Sequence, residues 1–452
     1  MQRFQGVRRV ARRPIAVVVP LAALAALGLP GQAEGAPAAH RPAGARVIGT
    51  ATLPAVPLGT FSNGLLPGTV GDDRGVNLGG IGSDIFPAGR PGEYWTVTDR
   101  GPNGQIQVGK DKRRTFPVPG FDPAIVKVKA VGGTLRVLTA IPITTAHGAP
   151  VTGLSNQASR DEAPFTYDAS TPLAFNPNGL DTEGLVRAAD GTFWLVDEYG
   201  PSLVHVSATG RVLARHVPKG LGLTGADYPV VESLPAILLQ RKANRGFEGL
   251  ALLPGGDLAM AMQSPLSNPD KAAGESSLTT RLLRFSPRHR AVTAEYVYRF
   301  DPVNVVDPSQ TDNSELKISS IVAVGRDRLL VEERTDKAAR LQLVTLRGRD
   351  NVLGRSWDDP ATAPSLEQLA DPAAAGVPVL AKRLALDLNT VPGVPLKIEG
   401  VAVADRSTLV LINDNDFGMT DGPGAFDAAG RLVDSGVHTT LVRVRLDRPL
   451  PR

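Results

Sequence analysis

The feature that most constrains the fold is a short hairpin pattern that recurs along the chain. In each copy, an apolar strand follows a Glu-Gly or related pair, and after a turn a second apolar strand ends in polar residues. Four copies lie at residues 181–199, 246–264, 317–334 and 397–415, and residues 78–100 form a fifth with a longer turn. A repeated supersecondary unit of this kind is typical of propellers and other repeat folds.

Further strand-like sequence follows every hairpin and brings each unit to four strands. The last unit shows three, and the N-terminal segment RVIGTATL (46–53) supplies a fourth. Joining both ends of the chain in one blade closes a ring and protects its strand edges. We therefore predict an all-β fold, a β-propeller of five four-stranded blades closed by an N-terminal strand in the last blade. Six blades stay open if residues 141–180 or 350–381 contain a divergent unit.

We predict a single propeller domain over residues 37–450, because no blade buries both of its faces alone. Loop insertions are expected near residues 141–180, 301–314, 350–381 and 415–436. Residues 1–36 have the basic start, apolar run and small residues of a signal peptide, with cleavage somewhere in residues 33–38. The sequence thus predicts a secreted or extracytoplasmic bacterial protein with no membrane span in the mature form. A retained N-terminal anchor is the alternative.

Charge and cysteine content exclude several classes of function. The leader carries five Arg and one Glu, so the formal net charge of +4 falls to zero once it is removed. A mature protein without a basic excess is not expected to bind nucleic acid. The chain has no cysteine, which excludes disulfides, zinc-thiolate sites and cysteine nucleophiles.

Polar residues stand at both ends of each hairpin. Glu183, Glu248 and Glu399 open first strands, and fifteen residues later Glu198, Gln263 and Asp414 close the second strands. Because the start of one antiparallel strand lies beside the end of the next, each pair shares one end of its blade. In the fourth unit we assign Ser319 and Glu333 to these positions, and in the first unit Gly79-Gly80 and Asp99. The prediction is an acidic ring at one mouth of the channel, formed by Asp99, Glu183, Glu198, Glu248, Glu333, Glu399 and Asp414.

So many carboxylates need compensating charge. Basic residues lie within three positions of the ring, namely Arg100, Arg245, Lys317, Arg334 and Lys397. Ca²⁺ is a second candidate, because it is held by several oxygen ligands, and Asn178, Asn413 and Asn415 could add neutral ones. A metal with Arg and Lys can bind a phosphate ester while a carboxylate activates water. A structural role, in which these carboxylates bond backbone amides or pair with Arg, stays open.

Several motifs resemble one known family. The segments NPNGLDTEGLV, FWLVDEYGPSLVHVS, NRGFEGLALLPGG, KIEGVAV and LINDNDFG are similar to the phytase-like ("esterase-like activity of phytase") family of secreted bacterial proteins. The resemblance runs from about Gly75 to Arg445, and it implies a propeller-like fold and hydrolysis of phosphoesters or esters. It also implies functional roles for Glu183, Asp197, Glu198, Glu248, Glu399 and Asp414. Ser319 and Gln263 depart from an ideal acidic repeat.

The leading hypothesis is a secreted, metal-assisted hydrolase acting on a small-molecule phosphate ester. We assign catalytic roles to Glu198, Glu248 and Glu183. Arg100, Arg245, Arg334, Lys317 and Lys397 are assigned to phosphate, and Asp99, Asp197, Glu333, Glu399 and Asp414 to the metal, taken as Ca²⁺. Arg113 and Arg114 are placed in a solvated turn, and we expect a monomer. The alternatives are a metal-dependent lactonase-type propeller and a non-catalytic binding or scaffold propeller at the cell envelope.

Overall fold

Strands dominate the part of the chain that the computed structural model describes, which is residues 43–67 and 70–451. In chain order they are β1 (Ala45–Thr52), β2 (Ile85–Pro87), β3 (Glu93–Val97), β4 (Gly104–Val108), β5 (Asp111–Thr115), β6 (Ala124–Val131), β7 (Thr134–Pro142), β8 (Pro164–Phe165), β9 (Thr182–Arg187), β10 (Phe193–Asp197), β11 (Ser202–Val206), β12 (Val212–Pro218), β13 (Val230–Leu234), β14 (Phe247–Leu252), β15 (Leu258–Met262), β16 (Thr279–Ser286), β17 (Ala291–Arg299), β18 (Ile321–Gly325), β19 (Arg328–Arg334), β20 (Ala339–Thr345), β21 (Lys382–Asp387), β22 (Ile398–Asp405), β23 (Thr408–Asn413) and β24 (Thr440–Leu446). Three short α-helices accompany them, α1 (Leu58–Leu65), α2 (Lys271–Ser276) and α3 (Val303–Val306). The predicted signal peptide lies outside the described residues.

The strands form five antiparallel blades. Blade 1 is β2-β3-β6-β7, blade 2 is β9-β10-β11-β12, blade 3 is β14-β15-β16-β17, blade 4 is β18-β19-β20-β21, and blade 5 is β22-β23-β24-β1. The N-terminal strand β1 pairs antiparallel with β24 and completes the last blade. The predicted propeller, with five blades closed by the N-terminal strand, is confirmed, and the described residues contain no sixth blade.

Apolar residues fill the space between successive blades and close the ring. Separate buried clusters join blades 1 and 2, 2 and 3, 3 and 4, and 4 and 5, and a fifth joins blade 5 back to blade 1. Full burial of one Leu or Val side chain stabilises a fold by about 1.5–3 kcal/mol. Both faces of each blade are therefore apolar, which explains why strands such as β10 and β15 are buried at every position.

The first strands of the blades, β2, β9, β14, β18 and β22, contact one another in that cyclic order around the central channel. The glycine after each opening Glu permits this approach. A Cβ on Gly184 would lie 2.7 Å from the carbonyl oxygen of Glu248, and one on Gly400 would lie 3.0 Å from the carbonyl carbon of Asp84. The close backbone approach expected from the Glu-Gly pairs is confirmed at these two positions.

Additional elements lie outside the blades. The hairpin β4–β5 interrupts blade 1, and β5 pairs in parallel with β8, which lies between residues 141 and 180. Residues 348–381 contain three single turns of 3₁₀ helix, at Gly348–Asp350, Ser356–Asp358 and Leu366–Gln368. They pack against β17 of blade 3 in a small core that includes Val297, Val352 and Val377. No described helix has the length and apolar character needed to cross a membrane.

Candidate functional site

The equivalent positions of the five hairpins are fixed by one repeated backbone hydrogen bond. The amide N–H of Glu198 donates to the carbonyl of Asp181, two residues before the opening Glu183. The same bond joins Gln263 to Gly246, Arg334 to Lys317, Asp414 to Lys397, and Asp99 to Gly80. Each unit therefore contributes three equivalent positions, one two residues before the opening residue, the opening residue itself, and the closing residue.

These fifteen positions differ in charge from blade to blade. In chain order the three positions are Gly80, Gly82 and Asp99 in blade 1; Asp181, Glu183 and Glu198 in blade 2; Gly246, Glu248 and Gln263 in blade 3; Lys317, Ser319 and Arg334 in blade 4; and Lys397, Glu399 and Asp414 in blade 5. Blade 2 is acidic at all three. Blade 4 has two cations and no acid at these three positions, so the mouth has an acidic side and a basic side rather than a uniform acidic ring.

Two assignments of the sequence analysis are wrong by this register. In the first unit, Gly82 occupies the opening position instead of Gly79, and a Cβ there would lie 2.1 Å from the carbonyl oxygen of Asn413. In the fourth unit, the closing residue is Arg334 instead of Glu333. Successive residues of a strand point to opposite faces, so Glu333 lies on the face toward blade 3. There it accepts hydrogen bonds from Tyr298 and Lys382 and does not line the mouth.

Ten of these fifteen positions line a cavity of about 490 Å³ at one end of the channel, and the other five, Gly80, Gly82, Asp181, Gly246 and Ser319, lie outside its lining. Its lining includes most of the predicted site residues, namely Asp99, Arg100, Glu183, Glu198, Arg245, Glu248, Lys317, Arg334, Lys397, Glu399 and Asp414. Asn103, Gln105, Arg114, Asn244, Gln263, Asp336, Asp416, Met419, Thr420 and Asp421 complete it. The structure therefore brings together residues that are up to 315 positions apart in the sequence, from Asp99 to Asp414.

The acidic side of the cavity contains a group of carboxylates that could hold a metal ion. Asp181, Glu183 and Glu198 each present an oxygen within 4.8 Å of the other two. Arg100 pairs with Asp181 at 2.5 Å and with Glu198 at 3.3 Å, and Gln263 donates to Glu198 at 2.9 Å. Glu183 is 7% exposed and has no hydrogen bond or ion pair with any described residue. Its carboxylate faces the cavity and accepts no hydrogen bond from a described residue, so it is available to bind a cation.

The electrostatics of this group favour a bound positive charge. Burial, followed by the charges of neighbouring carboxylates, raises the pKa of Glu183 well above its usual value. Burial also raises the pKa of Asp181 to about 8, against the opposing effect of Arg100. Because two or three ionised carboxylates repel one another in a desolvated site, a divalent cation would stabilise their ionised forms. Asp181 was missed by the sequence analysis, although its position two residues before Glu183 puts both on the same side of the strand.

The basic side of the cavity consists of Arg245, Lys317 and Arg334. Burial, followed by the charges of Arg334 and Arg245, lowers the pKa of Lys317. Arg245 donates to the hydroxyl of Ser264 at 3.3 Å but has no carboxylate within ion-pairing distance among the described residues. Asp336 pairs with Lys317 at 2.8 Å and with Arg334 at 3.1 Å, so the unpaired positive charge on this side belongs to Arg245, which can attract an anion.

Arg334 also stabilises carboxylates of the two neighbouring blades. Its guanidinium contacts Glu399 and lies 3.7 Å from Glu248, and its Nε donates to Ser319 at 2.6 Å. Burial by itself would lower the pKa of Arg334, but the charges of Glu399 and Glu248 raise it. Glu248 keeps one carboxylate oxygen without a hydrogen-bond partner, and burial raises its pKa to about 8.

The predicted metal ligands of blades 5 and 1 reach the cavity but already have protein partners. Lys397 donates to Asp414 at 2.7 Å and also contacts Asp416. Asp99 accepts from the amide of Gly101 at 2.8 Å. These contacts leave Asp414 and Asp99 less available to a cation than Glu183.

Asp197 is not at the cavity, so its assignment as a metal ligand is wrong. It forms a fully buried ion pair with Arg215 at 2.5 Å and accepts hydrogen bonds from Ser202 and from the amide of Asp181. The candidate asparagine ligands also have protein partners. The side-chain oxygens of Asn178, Asn413 and Asn415 accept hydrogen bonds from the backbone amides of Asp227, Thr440 and Gly80 respectively.

Two elements outside the blades complete the cavity wall. The hairpin β4–β5 contributes Arg114, which pairs with Glu162 and Asn103 and is buried, so the prediction of a solvated turn is wrong here. The amide of Gln105 donates to Asp421 at 3.0 Å and joins this hairpin to the loop after β23. The alternation in GQIQV before Gly109-Lys110 is a strand and turn signal that could have located this element.

Comparisons with known proteins found similar chains by sequence and by structure. An uncharacterized secreted protein of Arthroderma benhamiae is 26% identical over 311 residues, which cover 58% of this chain and 59% of that protein's length. Pseudomonas fluorescens PhoX in complex with vanadate, a transition state analogue, aligns over 90% of this chain and 97% of its own, at 9% identity and a TM-score of 0.36. Regucalcin, a calcium-binding protein of Agrobacterium tumefaciens, aligns over 82% and 94%, at 9% identity and a TM-score of 0.34. Neither structural alignment is close enough to carry a functional argument.

The family itself is established by a direct match across the propeller. The family model "Phytase-like: Esterase-like activity of phytase" matches residues 76–417, from the segment before β2 to the first residues of the loop after β23. That range contains every residue that lines the cavity except Met419, Thr420 and Asp421 of the loop after β23. The chain belongs to this phytase-like family.

Proposed function

We propose that this protein is a secreted, metal-assisted hydrolase that cleaves a phosphate ester at the cavity between blades 2 and 4. The supporting observation is the division of one cavity into an acidic side with the unpartnered carboxylate of Glu183 and a basic side with the unneutralised Arg245. A phosphate ester that binds a cation would contact the acidic side through that cation and the basic side through its own phosphate oxygens. The leader sequence and the secreted relative support export.

The residues divide into three roles. Asp181, Glu183 and Glu198 are proposed to hold the cation, taken as Ca²⁺ because all the donors are oxygens. Such an ion would supply positive charge against the charge that develops on the ester oxygens. Arg245 and Lys317 are proposed to bind the phosphate oxygens. Glu248, with one free carboxylate oxygen and a raised pKa, is proposed to accept the proton of the attacking water.

Hydrolysis assays on the purified mature protein test this proposal. Substrates are a phosphomonoester, a phosphodiester and a lactone, each with added Ca²⁺ and with a chelator. We expect Ca²⁺-dependent cleavage of at least one phosphoester. Cleavage of the lactone alone would support the lactonase-type alternative, and Ca²⁺ binding without hydrolysis of any of the three would support a binding propeller.

Two variants separate the sides of the cavity. Glu183→Gln should weaken Ca²⁺ binding without changing the basic side. Arg245→Met should raise KM by roughly 10- to 100-fold, since hydrogen bonds to charged groups contribute about 1.5–3 kcal/mol, while Ca²⁺ affinity stays near that of the wild type. Arg349→Met is the control, because Arg349 is 74% exposed and lies outside the cavity. Equal effects of Arg245→Met and the control on KM would contradict the proposed phosphate site.

A further inference from the structure

A second cavity, of about 890 Å³, lies between blades 2 and 3 and is called the rear cavity here. Because β9 begins and β10 ends at the mouth, the turn between them, which contains Asp190, lies at the opposite end of blade 2. The turn at residues 254–256, between β14 and β15, reaches the rear cavity from blade 3 in the same way. No residue lines both cavities, so the rear cavity is separate from the proposed hydrolytic site.

The rear cavity exists because large rings on two strands of blade 2 are followed by a small side chain on the third. Trp194, His205 and Ala214 lie directly opposite one another on β10, β11 and β12 and therefore share one face. Trp194 packs into the core between blades 2 and 3, so this face is directed toward blade 3. The rings of Trp194 and His205 stack with their centroids 4.1 Å apart and their planes within 3°. The outer strand adds only the methyl group of Ala214 and has a bulge at Leu213, which leaves space beside the two rings.

Two histidines of the lining each keep a ring nitrogen without a partner. His216 is only 2% exposed, its Nδ1 shares a hydrogen bond of 2.8 Å with the hydroxyl of Ser233, and its Nε2 bonds to no described residue. The hydroxyl of Thr192 donates to Asp190, so it must accept the 3.1 Å bond from Nε2–H of His205. Nδ1 of His205 is then an acceptor with no described partner. Buried polar groups are normally hydrogen-bonded, so these nitrogens indicate a ligand.

The charge of the rear cavity is set by one arginine. Burial lowers the pKa of His216 to about 4 and also lowers the pKa of His205, so both imidazoles are neutral at pH 7. Arg290, in the turn between β16 and β17, lines the cavity, and its guanidinium has no ion pair or hydrogen bond with a described residue. Asp190 accepts hydrogen bonds from the amide and hydroxyl of Thr192, at 3.0 and 2.7 Å. The walls are otherwise mainly apolar, so the unpaired charge that a ligand would meet is positive.

We propose that the rear cavity binds an aromatic carboxylate, with its ring among Trp194, His205 and His216 and its carboxylate at Arg290. A concave site of this size, with apolar walls and a few polar groups, is typical of sites for small organic ligands. A guanidinium matches the geometry of a carboxylate, and aromatic side chains favour an aromatic ring. The site does not depend on the proposed hydrolysis.

Calorimetric titration of the purified mature protein with 2-naphthoate tests this site. The wild type should bind one 2-naphthoate per chain. Arg290→Met should weaken binding by roughly 10- to 100-fold, the range expected for loss of a hydrogen bond to a charged group. Arg288→Met is the matched control, because Arg288 is exposed in the same turn and does not line the cavity. Ala214→Phe, which puts a ring into the cavity, should abolish binding.

Two further comparisons locate the bound carboxylate and establish its charge preference. Arg245→Met should leave the affinity for 2-naphthoate unchanged, because Arg245 belongs to the mouth. The neutral analogue 2-naphthalenemethanol and the cationic analogue 2-naphthylmethylamine should both bind more weakly than 2-naphthoate. Absence of saturable binding at millimolar 2-naphthoate, an unchanged affinity in Arg290→Met, or loss of binding in Arg245→Met would overturn the proposal. Tighter binding of the amine would also overturn it and would indicate that Asp190 selects the ligand. Arg290 is exposed, so its variant tests the site even if Ala214→Phe fails to fold.

Discussion

The buried pair of Asp197 and Arg215 gives the sharpest test of how the site is supported. Both side chains are fully buried, and their ion pair measures 2.5 Å. Arg215 also donates to the carbonyls of Gly179 and Tyr199. Asp197 in turn accepts the backbone amide of Asp181 at 2.7 Å, so the pair fixes the segment that carries one of the proposed cation ligands.

Asp197→Asn keeps the size of the side chain and removes its charge. The guanidinium of Arg215 would then remain buried without a counter-charge, a change that costs about 3–5 kcal/mol in buried ion pairs. We therefore expect the free energy of unfolding to fall by about that amount, measured by denaturant unfolding followed through tryptophan fluorescence. The number of bound Ca²⁺ ions should stay unchanged, because Asp197 does not face the cavity.

The double variant Asp197→Asn with Arg215→Met is the matched control. It removes both charges, and paired replacement of a buried ion pair by apolar groups is often close to neutral. The double variant should therefore be more stable than Asp197→Asn alone, and the difference measures the coupling between the two residues. A loss below 1 kcal/mol for Asp197→Asn, or loss of a Ca²⁺ ion without loss of stability, would refute the structural role given to Asp197.

Two further predictions concern packing and pH. Gly184→Ala should cost about 1–3 kcal/mol or more in unfolding free energy, because its Cβ would lie 2.7 Å from the carbonyl oxygen of Glu248. Gly348→Ala, where a Cβ meets nothing within 4 Å, should stay within about 0.5 kcal/mol of the wild type. Burial raises the pKa of Glu295 from 4.5 to about 8, so the folded state holds a proton that the unfolded chain releases between these values. Stability should thus fall as pH rises from about 5 to 8, by at most about 1.4 kcal/mol per pH unit from this group. Urea unfolding at several pH values should show a smaller slope for Glu295→Gln, and equal slopes would contradict the buried proton.

The fold could be predicted from the sequence because the repeat carries its own geometry. A fixed fifteen-residue offset between polar ends defines a hairpin, and four strands per unit with one supplied by the N-terminus define a closed ring. The side-chain faces could not be predicted as reliably. Both faces of each blade are buried, so polar and apolar residues do not alternate to mark an inner and an outer face. The strand pattern therefore did not show which face carries Glu333 or Asp197.

The fifteen-residue offset alone identifies the closing residue of the fourth unit correctly. Fifteen residues after Ser319 stands Arg334, and Glu333 was preferred because it matched the acids of the other units. The repeat could not predict the part of the cavity wall formed by Arg114 and Asp421, because these residues belong to inserted elements outside the repeat. Asp181 could have been predicted as a site residue, because strand periodicity places it beside Glu183.

The departure of blade 4 from the acidic repeat explains how the neighbouring acids can share one mouth. Ser319 is small and accepts a hydrogen bond from Arg334, so the guanidinium lies where it reaches Glu248 of blade 3 and Glu399 of blade 5. A Glu at position 319 would compete for that guanidinium and add a further negative charge among buried carboxylates. Blade 2 has no basic residue at its three positions, and the carboxylate of Glu183 is left without a protein partner. Since one blade neutralises its neighbours and another leaves a carboxylate free, the asymmetry separates the charges across the cavity. A ring of five identical acidic blades could collect cations, but it would offer no basic side on which an anionic ester could bind.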